Sequence, residues 1–89
     1  MQADFDHRPM RKSIHRPEHA VLTALIRELR LKQGLTQVEV CVALDVPQSF
    51  MSDVETGQRR LDLVQLHDLC QVLGVSLRSL ADTFERRIR

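Results

Sequence analysis

The chain has 89 residues, 43% of them hydrophobic and 3% aromatic, with a formal net charge of +1. That suffices for one domain whose core is built from Leu, Val, Ile and Ala. Three Gly, three Pro and no sustained β-branched alternation argue against a sheet and predict an all-α fold.

No apolar run approaches the roughly 20 residues needed to cross a bilayer, and no apolar signal core follows the N-terminus. A cytoplasmic protein without membrane contact is expected. Cys41 and Cys70 fall in apolar helical patterns and read as buried free thiols of a reducing compartment. Positive charge is unevenly distributed. Residues 1–17 hold four Arg/Lys against two Asp, and residues 18–54 hold three against five Asp/Glu. Arg59 and Arg60 then follow Glu55. The surplus lies where phosphates can be met; ordinary solvated charges are the competing reading.

Residues 1–17 lack periodicity, and Pro9 and Pro17 interrupt any helix, so a flexible basic arm is expected. Its Arg8, Arg11, Lys12 and Arg16 suit a nucleic-acid backbone or minor groove; a tail without function is the competing reading. The domain proper spans residues 18–89. A first helix is predicted over about Glu18–Gln33, with Leu22, Leu25, Ile26 and Leu29 in one stripe and Gly34 in a left-handed C-terminal position. Thr36 and Glu39 have capping-box spacing and open a second helix, which Val40, Cys41 and Leu44 pack inward and Asp45 ends.

The third helix is predicted over about Pro47–Thr56. Pro47, Met51 and Val54 share its inner face, Phe50 sits at the border, and Gln48, Ser49, Ser52 and Asp53 point outward. Gly57 ends it, and Gln58, Arg59 and Arg60 form a basic loop. A fourth helix runs from about Leu63 to Leu73, capped by Asp62, with Leu63, Leu66, Leu69, Cys70 and Leu73 buried. A fifth opens at Ser76 and carries Leu77, Leu80, Ala81, Phe84 and Ile88 in one stripe. Phe84 and Ile88 outrun a small core, so they are either a dimer contact or local packing against the first helix.

Two short helices joined by a tight turn, the second with a polar outer face, are how proteins place a helix in the major groove. The chain resembles the Cro/phage-repressor (XRE-type) helix-turn-helix family across Leu22–Leu80. The resemblance is carried by Leu29-Arg30, Gly34-Leu35-Thr36-Gln37, Val46, Glu55-x-Gly57 and the Leu-Gly-Val-Ser of Leu73 to Ser76. It implies a compact five-helix, lambda-repressor-like bundle that binds double-stranded DNA.

By that resemblance, Gln48, Ser49 and Asp53 face base edges, with Gln suited to adenine and Asp to cytosine N4. Gln37, Ser52, Thr56, Gln58 and Arg60 meet phosphates. Arg30 and Glu55 form a buried ion pair. Asp53 is the departure with most consequence, because an acid on the DNA-facing side can also repel phosphates. The expected function is a sequence-specific transcriptional regulator, a repressor working as a homodimer in a bacterial or phage cytoplasm. The competing class is an antitoxin-type module that also engages a protein partner. No nucleophile–base pair, phosphate loop or metal spacing appears, so no enzyme, cofactor or metal is expected.

Overall fold

In the computed structural model, residues 16–89 are described; the expectations for residues 1–15, including Arg8, Arg11 and Lys12, lie outside them. The described residues form five helices: α1 (Pro17–Lys32), α2 (Gln37–Leu44), α3 (Ser49–Glu55), α4 (Leu63–Leu73) and α5 (Leu77–Ile88). The helix α1 packs on α3 and α5, α2 packs on α3 and α4, and α4 packs on α5.

Local chemistry sets the boundaries. Pro17 occupies the first turn of α1, where no backbone donor is needed. Both halves of the Thr36–Glu39 capping box form: Thr36 N donates to Glu39 Oε1 at 2.8 Å and Glu39 N to Thr36 Oγ1 at 3.0 Å. Asp62 and Gln65 repeat the arrangement at α4, and Ser76 caps α5. Asp45 adopts φ 56°, which lets Val46 N reach back to the Cys41 carbonyl at 3.0 Å.

Three expectations need correcting. The helix α3 is shorter than predicted. Phe50 N bonds the Pro47 carbonyl at 2.9 Å, so Pro47 belongs to the tight turn and is exposed. Phe50 is only 7% exposed: it belongs to the core cluster, and the Arg59 guanidinium lies over its ring. Leu63, placed in the buried stripe of α4, is 68% exposed. It is the first residue after the cap, and no other helix covers it.

The core is continuous through all five helices. Ile26, Val40, Met51, Leu69 and Leu73 each have no solvent exposure. Cys41 and Cys70 are buried free thiols, and burial raises the Cys70 pKa. Phe84 is half-buried against this core and Ile88 is 41% exposed. Two bonds from Arg87 to Glu28, at 2.7 and 3.0 Å, hold this part of α5 to α1. Among the described residues no helix is long and apolar enough to cross a membrane.

At Gly74 the backbone has φ 74°, and an added Cβ would meet Gln33 Nε2 at 2.5 Å. Gly74→Ala is expected to cost about 1–2 kcal/mol from the left-handed backbone alone. A urea titration checks this; an unchanged midpoint would show that the turn relaxes without strain.

Candidate nucleic-acid interface

The interface is assembled around one carboxylate. Glu55, the last residue of α3, has a side chain only 3% exposed. Arg30 of α1 donates to it twice, from Nε to Oε2 at 2.6 Å and from Nη2 to Oε1 at 2.9 Å. The remaining Arg30 nitrogen, Nη1, donates to the Leu35 carbonyl at 2.8 Å. Gln37 Nε2 donates to Glu55 Oε1 at 3.1 Å, and Arg27 Nε stands 3.9 Å from the same oxygen. One carboxylate thereby ties α1, the start of α2 and the end of α3.

Burial pushes the Glu55 carboxyl upward. The bonds from Arg30 and Gln37 and the charges of Arg30 and Arg27 outweigh that and leave it below the usual carboxylate range. Arg30 is held above its ordinary value by the Glu55 bonds, despite desolvation.

The turn has its own lock. Cys41 Sγ donates to the Gln48 carbonyl at 3.5 Å, joining α2 to the residue before α3. With α3 fixed at both ends, Met51 and Val54 are buried, Gln48, Ser49, Ser52 and Thr56 are exposed, and Asp53 is half-exposed. Thr56 Oγ1 bonds back to the Ser52 carbonyl at 2.8 Å. Gln58 and Arg60 are exposed in the loop after Gly57. That loop is pinned to α3 because Gln58 N and Arg59 N both donate to the Asp53 carbonyl, at 2.8 and 3.1 Å.

The polar residues named from the sequence therefore lie along one outer side of α3 and its following loop. Gln37 lies at the start of α2, where the first-turn N–H groups of Gln37 and Val38 have no acceptor within their own helix. Its side chain is engaged by Glu55, a contact the sequence reading did not anticipate. The Arg59–Phe50 contact and the Cys41 bond were also missed. A cation nine residues from an aromatic, across a turn, has no periodic signature. Among the described residues no group of three or more His, Cys, Asp or Glu is placed to hold a metal ion.

An α2–turn–α3 unit buttressed by three further helices defines a helix-turn-helix protein. A family model described as a helix-turn-helix domain matches residues 21–84. A solved XRE-family-like protein from Pseudomonas syringae is 34% identical, with a TM-score of 0.78, over 86% of this chain and 94% of that one. The chain belongs to the XRE-type helix-turn-helix family of DNA-binding transcription regulators.

An uncharacterized HTH-type transcriptional regulator, y4dJ of Sinorhizobium fredii, is 42% identical over 48 residues. That match covers 54% of this chain and 62% of the relative's length. The control protein C.BamHI of Bacillus amyloliquefaciens is 29% identical over 64% of this chain and 72% of its own. In fold, the chain is also similar to the restriction-modification controller protein C.Esp1396I, with TM-score 0.76 and 20% identity over 83% of this chain and 97% of that one.

The Glu55 anchor has a measurable pH signature. A carboxyl with a lowered folded pKa contributes stability that is complete above its unfolded value, about 4.3, and is lost as pH falls through the folded value. Stability of the wild type should therefore fall more steeply below about pH 4.3 than that of Glu55→Gln, while the other carboxylates titrate in both. Parallel pH–stability curves from urea unfolding would contradict this. Arg30→Met should cost about 3–5 kcal/mol at neutral pH, because it leaves Glu55 buried without its partner.

Proposed function

We propose that the chain binds operator DNA sequence-specifically as a homodimer, with α3 in the major groove, and represses transcription by occupying the site. The observation that carries this reading is the outward row of Gln48, Ser49, Ser52 and Asp53 on a helix whose other side is buried. Gln48 pairs with adenine N6 and N7, Ser49 donates or accepts, and Asp53 accepts from cytosine N4. Ser52, Thr56, Gln58 and Arg60 meet phosphates, and the N-terminus of α2 meets another through its free N–H groups and Gln37. Because Gln37 Nε2 is already held by Glu55, the side chain is positioned before DNA arrives.

A second copy is needed because one α3 supplies few base contacts, each good bidentate pair adding about 1–3 kcal/mol of discrimination. Two half-sites about 34–36 Å apart double that number. A solved relative of the same fold, C.Esp1396I, is a tetramer on its natural 35 base-pair operator. Here the surface available for self-association is an apolar groove between α1, α4 and α5. It is lined by Leu22, Leu63, Leu66, Leu77 and Phe84, has a volume of about 510 Å³, and continues to Ile88 beside Phe84. A cytoplasmic regulator acting on bacterial or phage DNA fits this reading.

Selection from random duplexes followed by binding titrations tests it. Gln48→Ala should relax preference at one base position by about 1–3 kcal/mol. Arg60→Ala should weaken all sequences alike and reduce the salt slope by about one unit. Wild-type protein that prefers no sequence at moderate salt would reject the proposal.

Ile88→Glu should convert a sedimenting dimer into a monomer while the helical content is kept. A variant that remains dimeric would move the interface off this groove.

A further inference from the structure

Two adjacent arginines of the basic loop diverge. Arg60 borders the cleft with Leu61, Phe84 and Ile88. Arg59 turns back along α3: its backbone N donates to the Asp53 carbonyl at 3.1 Å, and its guanidinium carbon lies 4.7 Å from the centroid of the Phe50 ring. Phe50 is one helical turn before Asp53, about 4.5 Å along the axis. The side chain therefore carries its charge from the C-terminal loop to the N-terminal half of α3. That is the half which reaches base edges in a docked recognition helix.

The placement around the helix matters equally. At 100° per residue, Phe50 lies about 60° from Asp53 and about 100° from Ser49. A guanidinium over Phe50 thus flanks the Asp53 edge of the outward face. Phe50 is 7% exposed while Arg59 is exposed, so the cation lies on the solvent side of the ring. A stacked guanidinium is attracted to the ring face and keeps its in-plane N–H edges free. Those edges match the O6 and N7 acceptors of guanine.

We infer that Arg59 is a specificity-determining residue that reads a guanine at the edge of the half-site, and that Phe50 is the positioning residue that holds it there. This rests on the reading of α3 as the recognition helix and adds a base contact to it.

The test is selection from random duplexes by the full chain, followed by binding titrations on the selected site and its single-base variants. Arg59→Ala, Arg59→Lys, Phe50→Leu and Phe50→Tyr are compared with wild type, and thermal unfolding confirms that each variant is folded. Wild type should select a guanine at a fixed position. Arg59→Ala should accept all four bases there, losing about tenfold or more for the wild-type site, with other positions unchanged. Arg59→Lys should lose the same preference, because an ammonium cannot form the two-pronged contact. Phe50→Leu should blur that position alone, and Phe50→Tyr, which keeps the ring, should retain it.

An unchanged preference in Arg59→Ala overturns the inference and leaves the recognition helix standing. So does uniform weakening across all sequences, which would make Arg59 a phosphate contact. Loss of guanine preference in Phe50→Tyr overturns the positioning role. A folded wild type that selects nothing removes the recognition helix and this inference together.

Discussion

The pose of the outward helix depends on the Arg30–Glu55 pair. The helix α3 has only seven residues, too short to be stable on its own, and its outer side must face solvent to be useful. It is held by Met51 and Val54 beneath and by a carboxylate at its last residue that accepts from α1 and α2 together. Two parallel bonds from a planar guanidinium fix direction as well as distance. A buried pair of this kind contributes little net stability compared with apolar packing, but losing one partner is costly. Its value here lies in orientation: the end of α3 cannot rotate without breaking contacts to two other helices.

The rest of the domain supports that geometry. Capping boxes at α2 and α4 stop fraying where the chain turns sharply. The left-handed Asp45 and the Cys41–Gln48 contact set the angle between the two helices of the motif. A small thiol at Cys41 lets the turn approach closely and provides a weak donor to the Gln48 carbonyl. The helices α4 and α5 complete the core and, with α1, leave an apolar groove whose Phe84–Ile88 end adjoins Arg60 of the loop after α3.

Much of the fold was legible from periodicity and punctuation. Helical spacing of Leu25, Ile26 and Leu29, the Thr36–Glu39 and Asp62–Gln65 pairs, and glycines at helix ends located the five helices within a residue or two. The start of α3 was misplaced because proline is compatible with both a first helical turn and a tight turn, and only the Phe50 N bond to Pro47 distinguishes them. Leu63 was misread because a stripe extrapolates to residues that no neighbour covers. Of the site, the outward residues of α3 follow directly from its 100° repeat. Of the side-chain bonds that hold them, the Arg30–Glu55 pair follows only from the family resemblance, and the Gln37–Glu55 bond from neither. Gln37 to Glu55 spans 18 residues and Arg87 to Glu28 spans 59, and such separations are set by packing rather than local pattern.

The most direct test of the account is an amide shift map of isotopically labelled protein titrated with its selected duplex. The largest changes are expected at Gln37 and Val38, along Gln48 to Asp53, and through Gly57 to Arg60, with α4 little affected beyond the general effect of complex formation. Changes concentrated on α4 and α5, with Gln48, Ser49 and Asp53 unmoved, would contradict it.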